Sequence, residues 1–307
     1  MLGSVCHSIM RLASVCNGWQ CLPCVRGGSL RSTLIMPELP EVETTCRGIA
    51  PHVTGVQITE LIIRRHDLRQ RVTESITELS GHMIMGVSRR SKYLLLGIDD
   101  GSTILIHLGM SGSLRVIDPA DDWKKHDHVG ISLRNGKQLR FHDPRRFGLV
   151  LRLMVENPLD HDLLKGLGPE PLEDGFTVTQ FRAACAKRGI PIKLVIMDAK
   201  VVVGVGNIYA SEALFRAGIR PGTLANRISK ARLEKLVGAI REVLAAAINE
   251  GGTTLRDFLN SDGKPGYFKQ RLFVYDRKGE PCRTCGTSIR HEVLGQRATY
   301  WCPICQR

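Results

Sequence analysis

The sequence predicts an α+β protein, with strands gathered in the first half, helices in the second and a small cysteine-bound module at the end. Three observations predict this. Runs rich in Ile, Val and Leu, separated by Asp-Gly and Asn-Gly turns, occupy much of residues 56–155. Apolar residues at helical spacing dominate 177–249. Two Cys-x-x-Cys pairs close the chain.

The first predicted element is a long helix. Leu39, Val42, Cys46, Ile49, Ala50 and Val53 share one face, and Pro40 is tolerated in a first turn. Pro37 and Glu38 therefore stand just ahead of a helix with an apolar face to bury. Strands are predicted over 56–65 and 83–98. Asp99-Asp100-Gly101 then turns the chain into a strand over 102–108. Residues 128–133 and 138–142 flank Asn135-Gly136, a second hairpin signal, and 147–155 is a further strand. Residues 166–171, rich in Gly and Pro, read as a linker. Helices are predicted over 177–188, 192–198 and 207–217, the last stopped by Gly218. A long helix spans 229–249, with Ser229 as N-cap and Gly251-Gly252 as its stop.

Composition narrows the function. The chain has 307 residues, 43% of them hydrophobic, enough for one large domain or two ordinary ones. No apolar run approaches the ~18–20 residues that a membrane span needs. There are 43 Lys+Arg against 30 Asp+Glu. Only Arg11, Arg26 and Arg31 fall within residues 1–35, so the basic excess belongs to the body of the protein. A basic body points to a polyanionic partner.

The cysteines fall into three groups. Cys282, Cys285, Cys302 and Cys305 offer four thiolates in two knuckles, which suits one structural zinc ion and leaves no position open for a catalytic water. Two disulfides are the alternative, and they need an oxidising compartment. Cys46 and Cys185 stand alone and are expected to be buried as small apolar residues. Cys6, Cys16, Cys21 and Cys24 lie in residues 1–35, a basic, acid-free segment without the apolar core of a secretory signal. Translation is expected to begin at Met36, with residues 1–35 outside the mature protein.

That expectation matters because of Met36-Pro37-Glu38. Removal of the methionine leaves Pro37 with a free secondary amine beside a carboxyl group, the arrangement of an N-terminal amine catalyst. While residues precede it, the Pro37 nitrogen is an amide and no nucleophile.

Several segments together resemble the formamidopyrimidine-DNA glycosylase family of bacterial repair enzymes. They are Pro-Glu-Leu-Pro-Glu-Val-Glu-Thr at 37–44, Arg-Arg-Ser-Lys-Tyr-Leu-Leu-Leu at 89–96, His-Leu-Gly-Met-Ser-Gly at 107–112 and Lys-His-Asp-His at 125–128. Further on come Asp-Pro-Arg-Arg-Phe-Gly at 143–148, Val-Gly-Val-Gly-Asn-Ile-Tyr-Ala-Ser-Glu at 203–212, Ser-Asp-Gly-Lys-Pro-Gly-Tyr-Phe at 261–268 and the four-cysteine finger. The resemblance runs in order through residues 36–307. It implies a β-sandwich with a long N-terminal helix over 36–165, a linker at 166–171, a helix–two-turn–helix module over 172–270 and a β-hairpin zinc finger over 271–307.

The implied activity is excision of oxidised purines from duplex DNA, followed by strand cleavage through β,δ-elimination. By resemblance, Pro37 is the nucleophile that forms a Schiff base and Glu38 the general acid, with Glu41 in support. Lys92 binds the lesion phosphate and assists proton transfer, and Arg297 serves the final elimination. Met110, Arg145 and Phe147 fill the gap left by the flipped base. His126, Arg188 and Asn207 hold DNA, and the loop 253–268 with Tyr267 closes over the base. The expected partner is double-stranded DNA with oxidised bases, met by a monomer in a bacterial cytoplasm, at the nucleoid, with no membrane association. The rival readings are an endonuclease VIII-type glycosylase for oxidised pyrimidines, and a non-catalytic damage-binding protein if residues 1–35 stay on Pro37.

Overall fold

Helix α1 (Leu39–Val53) begins the computed structural model, which describes residues 37–252 and 271–307. The expectations for residues 1–36, and for the loop 253–268 with Tyr267, lie outside the described residues. The predicted apolar face of α1 is the buried one, with Leu39, Val42, Cys46, Ile49 and Val53 nearly inaccessible.

Eight antiparallel strands follow: β1 (Val56–Ile63), β2 (Met83–Arg90), β3 (Tyr93–Ile98), β4 (Thr103–His107), β5 (Ser113–Ile117), β6 (Asp127–Leu133), β7 (Gln138–His142) and β8 (Leu149–Leu153). Their order is β5-β7-β6-β1-β2-β3-β4-β8. Strand β1 joins two leaves. Its first residues, Val56 and Gln57, pair with Ile84 and Met83 of β2. From Ile58 onward it pairs with β6, with a register break between Ile58 and Glu60. A break of this kind bends a strand and lets it pass from one layer to the other. The two leaves face a shared core: Ile84, Leu94, Leu96, Ile104 and Ile106 from one, Leu114, Val129, Ile131, Leu139 and Phe141 from the other. Helix α1 lends Val42, Ile49 and Val53 to the same core. The expected sandwich with its long helix is therefore present. The Asp99-Asp100-Gly101 and Asn135-Gly136 turns fall where the sequence placed them, with Gly101 and Gly136 at positive φ. Strand β5 was not predicted. Arg115 interrupts its apolar pattern, and that side chain reaches Asp127 at 2.8 Å.

The second half is helical: α2 (Val178–Ala186), α3 (Ile192–Ile196), α4 (Asn207–Arg216) and α5 (Lys230–Asn249). Thr177 caps α2 by accepting the Gln180 N–H. Ser229 occupies the N-cap position of α5 but makes no side-chain cap bond. These helices enclose a second core that includes Phe181, Ile208, Leu236 and Ile240, and that continues into Val274, Tyr275 and Tyr300. Cys46 and Cys185 are buried free thiols, as expected, and burial pushes each up to about 11.

Strands β9 (Arg290–Leu294) and β10 (Arg297–Trp301) form the terminal hairpin. Its two turn residues, Gly295 and Gln296, both have left-handed φ, as a type I′ turn requires. Gln306 anchors the hairpin to the helices: its amide accepts the Cys302 N–H and donates to the Ile219 carbonyl. Among the described residues, no helix is long and apolar enough to cross a membrane.

Candidate active site and nucleic-acid interface

The N-terminus of α1 is docked on the loop that leads into α4. Leu39 donates its N–H to the Gly204 carbonyl at 3.2 Å. One residue earlier, Glu38 is 2% exposed and accepts the N–H groups of Gly206 (2.8 Å), Ile208 (3.0 Å) and Tyr209 (3.4 Å). Its carboxyl thus sits on the N-terminus of α4, where backbone donors are otherwise unsatisfied. The approach requires glycine: a Cβ on Gly206 would fall 2.2 Å from the Glu38 carboxyl carbon. Gly204, at φ +79°, lies equally close to Leu39.

Electrostatics then decide the state of Glu38. Burial raises its pKa to about 7, and the nearby Glu41 adds to the rise. The charge of Lys92 and the backbone donors pull the other way and lose. Glu38 is therefore about half protonated at neutral pH and mostly protonated below it. Glu41, also buried, accepts the Glu38 N–H at 2.9 Å and the Tyr209 hydroxyl at 2.6 Å, which fixes the first turn of α1. Pro37, which immediately precedes Glu38, is also buried.

Lys92 enters from the turn between β2 and β3. Burial lowers its pKa, opposed by the charges of Glu38 and Glu41 and assisted by Arg297. Those influences put Lys92, Glu38, Glu41 and Arg297 in one electrostatic field. Arg297 opens β10 and is exposed. Its neighbour Ala298 is pinned through its carbonyl, which accepts from Asn207 Nδ2 at 3.0 Å and from Lys193 Nζ at 3.1 Å.

Two groups here were missed by sequence reasoning. Lys193 is fully buried, donates also to Thr299 Oγ1 at 2.8 Å, and is held down to about 7 by burial. The available signal was a lysine in the midst of the apolar helix Ile192–Ile196. His107, on β4, accepts the Gly109 N–H through Nδ1 at 2.9 Å. Burial, with the charges of Lys92 and Arg69, lowers it to about 4, so it stays neutral.

A second group gathers on two adjoining loops. A Cβ on Gly109, at φ +70°, would fall 2.4 Å from the Gly148 nitrogen and 2.5 Å from the Phe147 carbonyl carbon, so the two loops touch backbone to backbone. Ser111 donates to Asp143 at 2.9 Å, and Asp143 also accepts the Gly148 N–H at 2.8 Å. This brings Met110, Arg145 and Phe147 together. Phe147 is 44% exposed, an unusual position for a large aromatic side chain. The Arg145 guanidinium lies 4.9 Å from its ring centre, with one buried nitrogen unpartnered within the protein. His126 borders the same patch: its carbonyl accepts the Asp143 N–H, and its ring packs against His128 and His142. Arg188 is held elsewhere, by Asp198 at 3.1 Å.

The four cysteines of the finger converge as a metal site. Their sulfurs all lie within 4.8 Å of one another. The Cys285–Cys302 and Cys282–Cys305 pairs are 3.4 and 3.9 Å apart. Tetrahedral Zn–S bonds of about 2.3 Å put sulfurs about 3.8 Å apart, so the set fits. Two sulfurs also accept backbone N–H groups, from Thr284 to Cys282 and from Cys305 to Cys302, as thiolates do. These residues form the site of one structural zinc ion.

Comparison with known proteins finds relatives over residues 36–307. The sequence model of the formamidopyrimidine-DNA glycosylase N-terminal domain matches residues 36–150, that of the formamidopyrimidine-DNA glycosylase H2TH domain matches 167–259, and the zinc finger found in FPG and IleRS matches 279–307. A formamidopyrimidine-DNA glycosylase from Xanthomonas axonopodis pv. citri is 54% identical over 274 residues, which are 89% of this chain and all of the relative. One from Methylococcus capsulatus is 55% identical over 273 residues, with the same coverage. Among solved structures, the MutM (Fpg) protein of Thermus thermophilus matches at 38% identity and a TM-score of 0.79, covering 88% of this chain and 98% of the other. The Lactococcus lactis Fpg in complex with DNA containing an abasic site matches at 33% identity and a TM-score of 0.82, covering 88% and 99%. A mutant of the same Lactococcus protein, bound to DNA containing Fapy-dG, matches at 0.83.

Proposed function

The chain belongs to the formamidopyrimidine-DNA glycosylase family, a family of bifunctional DNA glycosylase/AP lyase enzymes, and we propose that it excises oxidised purines through the amine of Pro37. Its place in base excision repair follows from the family. The observation that carries the mechanism is Glu38, a buried carboxyl cradled by the backbone N–H groups of Gly206 and Ile208, with its pKa raised to about 7, adjacent in sequence to Pro37.

The neutral Pro37 amine attacks the anomeric carbon of the damaged nucleoside. The glycosidic bond breaks, the base leaves with the bonding pair, and the departing base takes up the proton that the Pro37 nitrogen, now an ammonium, gives up. Glu38 gives its proton to the sugar ring oxygen, and the ring opens as the C–O bond breaks. The resulting iminium is an electron sink. It acidifies the neighbouring C–H, and loss of that proton expels the 3′ phosphate. A second elimination expels the 5′ phosphate. Pro37 suits the work because an α-amine titrates near 8, whereas a lysine near 10.4 must be depressed much further. Lys92 binds the lesion phosphate and exchanges protons with Glu38, and Arg297 steadies the departing phosphate. Met110, Arg145 and Phe147 enter the duplex where the base has left, with the Arg145 guanidinium donating to the orphaned partner base. His126, Asn207 and Arg188 hold phosphates, for which Arg188 exchanges its contact with Asp198. The zinc ion supplies no chemistry to the reaction. Its four thiolate ligands hold the hairpin that carries Arg297.

The amine exists only if nothing precedes Pro37. We therefore infer that the functional chain starts at Met36 and loses that methionine, which intact-mass measurement of the native protein tests. The complexes of the Lactococcus relatives with abasic-site and Fapy-dG DNA support damaged duplex DNA as the ligand. A monomer in the bacterial cytoplasm meets it. The substrate class is tested by excision of 8-oxoguanine opposite cytosine against excision of thymine glycol. Faster release of 8-oxoguanine is expected, and preference for thymine glycol assigns the chain to the endonuclease VIII type instead.

A further inference from the structure

The segment 167–170 touches both halves of the site, and one carboxylate makes the join. Glu170 is 6% exposed. Its Oε1 accepts the Ser91 N–H at 2.7 Å and Arg90 Nη1 at 2.8 Å, and its Oε2 accepts Arg89 Nη1 at 2.7 Å. Arg90 Nη2 also donates to the carbonyls of Leu167 and Gly168, at 3.0 and 2.5 Å. Arg89 Nε continues to Glu43 on α1 at 2.8 Å.

What Glu170 grips is the turn that presents Lys92. Ser91 has φ +56°, a left-handed conformation that strains a non-glycine residue and persists only where contacts hold it. The Ser91 N–H bond to Glu170, buried and charge-assisted, is such a contact. Just before Glu170 the segment is tied to the Glu38 side. Gly168 donates to the Ala199 carbonyl at 2.8 Å, and Val203 donates to the Pro169 carbonyl at 3.1 Å. A Cβ on Gly168 would fall 2.8 Å from the Lys200 carbonyl oxygen. Val203 leads directly into Gly204 and Gly206, which hold Leu39 and Glu38. Hydrogen bonds linked by short stretches of backbone thus run from the Lys92 turn, through Glu170, to the Glu38 cradle.

We propose that Glu170 is a positioning residue for the reaction: it locks the left-handed Ser91 turn, and so sets Lys92 in register with Glu38. The inference rests on the glycosylase reading above. Glu170 touches neither substrate nor reacting atoms, and acts by keeping two separately carried groups at a fixed spacing.

The test uses Glu170→Ala and Glu170→Gln in the chain that begins at Pro37. Glu170→Ala is expected to lower the single-turnover rate of 8-oxoguanine excision by about 10- to 100-fold, the scale of a 1 Å misplacement. Its Kd for a duplex with a tetrahydrofuran abasic analogue is expected to change by less than about threefold, since the loss lies in the chemical step. Glu170→Gln keeps an acceptor for the Ser91 N–H and recovers part of the rate. Acetylation of Lys92 by acetic anhydride, measured by peptide mass spectrometry against Lys125, rises in Glu170→Ala. A Glu170→Ala rate within about twofold of wild type overturns the proposal, as does a rate loss matched by the loss in Kd. If the wild-type chain excises nothing, the glycosylase reading fails, and the Lys92 labelling still decides whether Glu170 sets that side chain.

Discussion

At the scale of single residues, the account turns on Glu38. Its folded pKa, about 7, lies above the usual 4.5. As the proton donor, it is lost as pH rises through about 7, so excision falls on that side of the profile. Glu38→Gln should abolish base excision while leaving binding to an abasic-analogue duplex largely intact, as single-turnover and titration measurements will show. The same shift sets a stability signature. Between pH 4.5 and 7 the folded chain holds a proton that the unfolded chain has released, so this group's contribution to stability declines as pH rises. From pH 5 to pH 8, denaturant unfolding of Glu38→Gln should move in the variant's favour by about 2–3 kcal/mol relative to wild type. Gly206→Ala tests the cradle from the other side. Its Cβ would overlap the Glu38 carboxyl, so excision should drop by about 100-fold, with Glu38 displaced in a crystal structure of the variant. Pro37, Glu38 and Lys92 were legible in the sequence because they sit in contiguous motifs. Lys193, His107, Tyr209 and Gly206 were not, because their significance comes from burial and from contacts between distant parts of the chain.

At the scale of elements, two loops held together by hydrogen bonds and close backbone contact carry the exposed groups. The loops at 108–112 and 143–148 are joined through Gly109, Ser111 and Asp143. Phe147→Ala removes an exposed ring and should leave the melting temperature nearly unchanged, yet weaken binding to lesion duplex by about tenfold, as expected for a lost stacking wedge. The zinc hairpin is an element of a different kind, too small to fold on apolar burial alone. Chelation of the metal should disorder the hairpin, release Ala298 from Asn207 and Lys193, and abolish strand cleavage. Loss of tryptophan fluorescence anisotropy at Trp301 alongside the nicking assay checks this. Helices and hairpin turns were readable locally: α1, α4 and α5 have clean apolar faces, and the Asp-Gly and Asn-Gly turns lie where predicted. Strand β5 was not, because its apolar pattern is broken by an arginine whose charge is answered by Asp127 on another strand. The join of the two leaves through β1 was equally hidden, since a register break has no sequence mark there.

At the scale of the whole molecule, the site is assembled from parts far apart in the chain. Helix α1 supplies Glu41, and Glu38 precedes it; the β2–β3 turn supplies Lys92, the start of α4 the backbone donors, and the terminal hairpin Arg297. Without the three arginines of residues 1–35 the chain has 40 Lys+Arg against 30 Asp+Glu, a net charge of +10 that favours a polyanionic partner. Affinity for duplex DNA should accordingly fall steeply with salt, log Kd rising in proportion to log salt concentration with a slope of several. Beneath this stands the claim that Pro37 is the reacting amine. The direct measurement is borohydride trapping on a duplex containing 8-oxoguanine, comparing a chain that begins at Pro37 with the 307-residue chain, followed by peptide mapping of the adduct. A covalent adduct at Pro37 is expected in the shorter chain and none in the longer one. An adduct on a lysine, or equal trapping by both chains, would contradict it.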